Sequence, residues 1–371
     1  MKKRYQILAV MLLCAAFILT CTRSKGLSDV YKDHFLIGTA LNANQILGND
    51  PQAMTLAKKH FNSIVAENLF KWQFIHPKPD TFAFDLQDQF ISFGEENDMF
   101  IVGHVLVWHS QTPFWVFFDS TRSLVSREVL LERMKNHIET VVGRYKGRVQ
   151  GWDVVNEALE ADGSYRQSLW YKIIGEDFIE KAFEYAHAAD PDAELYYNDY
   201  DMWKTGKATG VTRIVKNLQA KGIRIDGLGV QGHWGTDYPV MAELDSNLQT
   251  FRDLGMKVMI TELDLNILPV AWDQFGADIS KNFDLREELD PYTEALPDSM
   301  VMFETLRYTE FFNMFLKYDD IITRVTFWGI QDGSSWLNNW PVRGRTAYPL
   351  LFDRNYQPKP VVDALMQLVN K

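Results

Sequence analysis

Two short runs in this sequence end in acid where apolar residues would be expected to continue. WDVVNE reads as a buried strand that begins at Trp152 and finishes on Asn156 and Glu157. VMITELD repeats the pattern from Val258, with Glu262 and Asp264 at its end. Two carboxyl groups facing each other across a sugar-sized gap are what acetal hydrolysis needs, because one protonates the departing oxygen while the other attacks carbon or activates water. The two jobs demand different surroundings: the acid must hold its proton where the nucleophile has lost it. Folding could bring His233 beside Glu262, and a His–carboxylate contact would favour the ionised form that a nucleophile requires.

The chain must first bring the two glutamates together. From about residue 34 onward, short apolar runs alternate with longer amphipathic stretches, the pattern of repeated βα units around a parallel sheet. Eight runs stand out: FLIGTAL (35–41), SIVAEN (63–68), FIVGHVLVW (100–108), VQGWDVVNE (149–157), ELYYNDY (194–200), GLGVQGHW (227–234), KVMITELD (257–264) and ITRVTFWG (322–329). Helices are predicted between them at 126–144, 178–189, 208–221 and 299–317; Asp190-Pro191 and Gly222 supply stops for two of these. Eight such units in about 335 residues predict an α/β fold, a (β/α)8 TIM barrel, as a single domain over residues 27–371. The 371 residues, 46% of them hydrophobic, suffice for a large core, and Met54, Met134 and Met314 read as filler in it.

The unusual residues then fall into place. Glu67 and Asn68, His104 and Trp108, Asn156 and Glu157, Asn198 and Tyr200, Gln231 and His233, Glu262 and Asp264, and Trp328 all lie at or just past the C-terminal ends of their runs. In a barrel those ends converge on the face where active sites are built, so scattered positions are expected to form one pocket.

These motifs also carry a resemblance. ENLFKW, GHVLVWHSQ, WDVVNE, LYYNDY, LGVQGHW, ITELD and TFWGIQDGSSW, in this order, resemble glycoside hydrolase family 10, the retaining endo-β-1,4-xylanases, from about Phe35 to the C-terminus. The resemblance implies Glu157 as general acid/base and Glu262 as nucleophile in a double displacement at internal β-1,4-xylosidic bonds. It implies that Asn156 contacts the 2-hydroxyl of the sugar being cleaved, and that His233 and Asp264 support the nucleophile. Glu67, Asn68, Lys71, His104, Trp108, Gln111, Trp328 and Trp336 would wall the glycone subsites, with Gln231 a further substrate contact and Tyr200 an aglycone-side aromatic. Phe70 stands where the family often has Met, and Gln73 where it often has an acid. Xylan or xylo-oligosaccharides would be the partner, with a monomeric enzyme and no cofactor. A β-1,4-glucanase on the same barrel and a non-catalytic glycan-binding surface lipoprotein are the alternatives; binding alone does not need two opposed carboxylates.

Composition agrees with a neutral substrate. A net charge of −11 argues against a nucleic-acid partner, which requires clustered cations. The 11 Trp provide faces on which sugar rings can stack. GLGVQG (227–232) formally satisfies the dinucleotide pattern G-x-G-x-x-G, but His233, Trp234 and Pro239 follow where a helix should open. His104 and His109 lack a third ligand nearby, so no metal is expected.

At the N-terminus Lys2, Lys3 and Arg4 precede an apolar run at 7–19, too short for a membrane span and matching a secretory signal. ILTC, ending at Cys21, resembles a bacterial lipobox, with Thr20 in place of the usual Gly, Ala or Ser. The expectation is a signal peptide over residues 1–21, lipidation of Cys21, and export to a bacterial cell envelope, with plain secretion as the alternative. The lipid would be the only membrane attachment. Cys14 and Cys21 are the only cysteines, so the mature chain has no internal disulfide. The acidic stretch at 268–296 is long for a βα loop; shaping of the groove and a solvated lid are both open for it.

Overall fold

The computed structural model describes residues 25–269 and 281–369. The expected signal segment with Cys21, and residues 270–280 of the acidic stretch, lie outside the described residues. The described residues form nine strands: β1 Leu36–Leu41, β2 Ser63–Ala66, β3 Phe100–Trp108, β4 Gly151–Asn156, β5 Glu194–Asp199, β6 Gly227–Val230, β7 His233–Gly235, β8 Lys257–Asn266 and β9 Ile322–Phe327. All pairings between them are parallel, and β9 pairs back onto β1. With β6 paired to β8, eight strands close a ring in the order β1-β2-β3-β4-β5-β6-β8-β9, the (β/α)8 barrel.

The run expected as one strand over 227–234 is broken in two. Gly232 has φ +83°, a left-handed turn that glycine adopts without steric cost, and beyond it β7 pairs only with the outer half of β8. The break leaves the Gln231 side chain among the pocket residues. The other expected runs differ only at their ends. β2 stops at Ala66, because Glu67 and Asn68 enter the loop that leads to the short helix Trp72–Ile75.

Helices fill the returns. Arg127–Arg144 begins where the Ser126 hydroxyl accepts a bond from Val129 N, and it buries Leu130, Met134, Ile138, Val141 and Val142 at helical spacing. Phe178–Ala189 matches its expected span, Thr205–Ala220 starts a little earlier than expected, and Asp298–Lys317 packs Tyr308, Phe311, Phe312 and Phe315 inward. The main core lies between barrel and helices; Met134 is fully buried in it, and Met54 and Met314 pack against its edge. Parallel pairing directs every strand's C-terminal end to one mouth, and the loops there carry the polar residues singled out above.

Candidate active site

Glu157 directly follows β4 with φ +56°, a left-handed backbone that is costly for a residue bearing a side chain. Several bonds hold that turn. Its own N–H donates to Asn198 O at 2.9 Å, the next amide, of Ala158, donates to the Tyr197 hydroxyl at 3.2 Å, and Arg166 Nε donates to the Glu157 carbonyl at 2.9 Å. The carboxylate then meets neutral donors. Trp108 Nε1 lies 2.9 Å from Oε2, Gln231 Nε2 lies 2.9 Å from Oε1, and Asn156 Nδ2 stands 3.4 Å from Oε1.

Glu262 lies within β8 in a different setting. Asn198 Nδ2 donates to its Oε1 at 2.9 Å, and His233 Nε2 lies 3.0 Å from its Oε2. The other nitrogen of His233, Nδ1, lies 3.0 Å from Asp264 Oδ2, an oxygen that also accepts from Trp336 Nε1 at 2.7 Å. This follows from strand periodicity. Residues two apart on β8 share a face, and the parallel register sets His233 opposite Asp264, so one imidazole reaches both acids.

Three amides join the two carboxylates. Asn156 lies 3.0 Å from Asn198 Nδ2 and 3.2 Å from Gln231 Nε2. With Oδ1 in that place it accepts from both NH2 groups; with the amide exchanged, its NH2 would donate to Asn198 O at 3.0 Å and its oxygen would accept from Trp108 Nε1 at 3.3 Å. Asn198 is itself pinned by Thr261 Oγ1, which donates to its Oδ1 at 2.7 Å.

Electrostatics acts on Glu262 as well. Burial pushes the Glu262 carboxyl up, but the His233 hydrogen bond, together with the charges of His104, His233 and Lys71, brings it below its usual value. Burial opposes the charge on His233, yet Asp264 and then Glu262 raise it to about 10. His233 is therefore an imidazolium at neutral pH, and its partner an ionised carboxylate.

The remaining predicted residues gather on one side. Lys71 Nζ donates to Asn68 Oδ1 at 3.0 Å, and Asn68 Nδ2 donates to Glu67 Oε1 at 3.2 Å. Gln111 Nε2 reaches the same Asn68 oxygen at 3.5 Å. The Lys71 ammonium stands 5.1 Å from the Trp108 ring and 5.9 Å from Trp328. Burial lowers the Lys71 pKa against the pull of Glu262, Glu67 and Glu157, and burial raises that of Glu67 against Lys71. His104 Nδ1 bonds Asp153 Oδ2 at 2.8 Å, and its ring meets Trp328 edge-on at 5.6 Å. Trp336 packs on His233 with centroids 4.8 Å apart. Tyr200 stands apart from this group, its hydroxyl accepting from Arg166 Nη2 at 2.7 Å and its ring 3.9 Å from Lys207 Nζ.

Sequence reasoning treated Asn198 only as a polar residue at a strand end, although it contacts Glu262 directly. Asp153, Arg166 and Lys207 were missed. A buried Asp in the middle of WDVVNE was a readable signal; Arg166 and Lys207 carry none, since each lies in a loop or helix of ordinary composition. The glycine run now has a local reason: a Cβ at Gly229 would lie 2.2 Å from Asn198 Oδ1, so glycine leaves room for that amide. Among the described residues no three His, Cys, Asp or Glu side chains are grouped as a metal site would need.

The sequence pattern of glycosyl hydrolase family 10 matches residues 26–368. The chain belongs to glycosyl hydrolase family 10. Several relatives match it over nearly their whole length. Endo-1,4-beta-xylanase A of Xylanibacter ruminicola is 49% identical over 342 residues, covering 92% of this chain and 93% of that protein. Beta-1,4-xylanase of Dictyoglomus thermophilum is 40% identical, covering 96% and 97%. Among solved structures, a family 10 endoxylanase retrieved from a sugarcane soil metagenome superposes with a TM-score of 0.89 at 44% identity, covering 92% of this chain and all of that one. The intracellular xylanase of Thermoanaerobacterium saccharolyticum, solved as a mutant with xylotriose, gives 0.79 at 33% identity, covering 92% and 98%.

Proposed function

We propose that this family 10 protein is a retaining endo-1,4-β-xylanase that cuts internal β-1,4-xylosidic bonds by double displacement. Glu157 protonates the departing oxygen while Glu262 attacks the anomeric carbon; water, deprotonated by Glu157, then releases the glycosyl group from Glu262. The observation that carries the assignment is the asymmetry of the two carboxylates. Glu262 is bonded to an imidazolium, which favours the ionised nucleophile, whereas the hydrogen bonds to Glu157 come from an indole and two amides, none of which carries a charge.

Asn156 is suited to a hydroxyl of the sugar being cleaved, Asn198 to holding Asn156 and Glu262 in place, and Glu67, Asn68, Lys71, His104, Trp108, Gln111, Gln231, Trp328 and Trp336 to the glycone. The mix of indole faces and hydrogen-bonding side chains suits a neutral sugar with one apolar face. Tyr200 is assigned to the aglycone side. The single domain over residues 27–371, the monomeric state, the signal segment ending at Cys21, and export with a lipid anchor belong to the same reading and rest on sequence pattern.

Product analysis on unbranched xylan tests it. The protein should release short xylo-oligosaccharides, and Glu157→Ala and Glu262→Ala almost none. Preference for carboxymethylcellulose over xylan would overturn the substrate, and unchanged release by Glu262→Ala would overturn the mechanism.

A further inference from the structure

Arg166 lies nine residues past Glu157, and its guanidinium is committed to the chain around that residue. Nε donates to the Glu157 carbonyl at 2.9 Å, and Nη2 donates to the Leu159 carbonyl at 3.0 Å and to the Tyr200 hydroxyl at 2.7 Å. The Arg166 amide also donates to Ala158 O at 2.8 Å. Lys207, fully buried, reinforces the same segment: Nζ donates to Leu159 O at 2.9 Å and pairs with Asp199 at 2.7 Å while lying against the Tyr200 ring.

Such a concentration of bonds on three consecutive carbonyls, those on Glu157 and Leu159 charge-assisted, needs a reason, and the Glu157 backbone supplies one. A left-handed φ at a residue with a side chain persists only where surrounding bonds over-determine it. Arg166 grips the carbonyl on the far side of that strained position. The same Nη2 holds the hydroxyl of Tyr200, one face of whose ring is already taken by Lys207.

We infer that Arg166 is a positioning residue that couples occupancy of the Tyr200 platform to the orientation of Glu157 as the acid for the leaving group. This rests on the assignment of Glu157 as acid/base and Tyr200 to the aglycone side. A leaving-group sugar that settles on Tyr200 pushes on a ring whose hydroxyl is bonded to the guanidinium that sets the Glu157 turn. Proton transfer from Glu157 to the glycosidic oxygen, as the bond from C1 to that oxygen breaks and the bond from C1 to Glu262 forms, then depends on Arg166. The dependence should scale with how much the leaving group needs a proton.

The experiment compares kcat/KM for xylotetraose, a poor leaving group, with that for dinitrophenyl β-xylobioside, whose phenolate leaves without protonation. Arg166→Met should lose about 10- to 100-fold on xylotetraose and less than about threefold on the aryl substrate, a fraction of the effect of removing an acid catalyst outright. Equal losses on both substrates, in protein that melts as the parent does, would overturn the proposal. Tyr200→Phe, which deletes only the hydroxyl, guards against misfolding of the first variant: it should show the same selective loss on xylotetraose, and an unchanged ratio between the two substrates would overturn the coupling. Glu157→Ala serves as the reference. If it too loses both substrates equally, the acid/base assignment fails; if its loss is selective and that of Arg166→Met is not, only the Arg166 role fails.

Discussion

His233 Nε2 lies 3.0 Å from Glu262 Oε2, while its Nδ1 lies 3.0 Å from Asp264 Oδ2, so one charged ring is shared between two buried acids. Because this contact holds the Glu262 pKa below its usual value, the acid limb of kcat/KM should lie below the ordinary carboxylate range. In His233→Asn burial is no longer opposed by an imidazolium, and the acid limb should move to higher pH; a pH–rate profile that does not move would refute the electrostatic role.

The same ring predicts alkaline sensitivity. The folded-state pKa of His233 is raised to about 10, so the stability it contributes is fully present below its unfolded value and is lost as pH rises through that range. Thermal melts should therefore decline in the parent between neutral pH and about pH 10, and decline less in His233→Asn.

Gly229 is a steric requirement of the site. A Cβ there would press on Asn198 Oδ1, displacing the amide that donates to Glu262. Gly229→Ala should cost about 1–3 kcal/mol in urea unfolding. It should also lower kcat by about 10-fold or more, the effect of misplacing a group by a fraction of an ångström. Wild-type kcat in the variant would show that Asn198 need not stay where it is.

Lys207 and Asp199 form an ion pair with neither side chain exposed to solvent. Lys207→Ala leaves a buried carboxylate without its cation and should destabilise the protein by about 3–5 kcal/mol. The double variant Lys207→Met with Asp199→Leu should recover much of that loss in denaturant titrations, because no charge is then stranded. A double variant as unstable as the single one would mean that packing, not charge, sets the cost.

Acid should loosen a second layer through His76 and His137. His76 Nε2 donates to Pro79 O at 3.1 Å, so neutral His76 accepts at Nδ1 from His137 Nδ1, 3.2 Å away. Burial depresses both pKa values, and Trp72 lies flat on His137 with centroids 3.8 Å apart. Depressed histidines take up protons only when the chain opens, so stability is full above the unfolded value of 6.5 and falls as pH drops below it. His137→Phe keeps the stacked ring and should flatten that acid slope in unfolding measurements; an undiminished slope would place the titration elsewhere.

Much of this was legible in the chain itself. The barrel showed because parallel strands buried on both faces read as apolar runs, and helices between them as amphipathic periods. The pocket showed because polar and acidic residues near strand ends interrupt that pattern, as Glu157 and Glu262 do. Residues that act through others left no such mark. Arg166 is one cation in a polar loop, and Lys207 looks in sequence like any solvated helix residue, although it is wholly buried. Asn198 was visible but mute, since an amide in a strand does not announce its partners.

What sequence alone determined was the inventory: which side chains occupy the mouth of a barrel, in which order around the ring. That follows from local rules, strand alternation and the direction of parallel pairing. The surroundings that distinguish the two acids arise only on folding. Glu157 and Glu262 are the same residue type near the ends of their runs, and their environments come from His233, Trp108, Gln231 and Arg166, brought in from other strands and loops. Proton affinity depends on charges and donors within a few ångströms, and such distances between residues far apart in the chain exist only once the ring has closed.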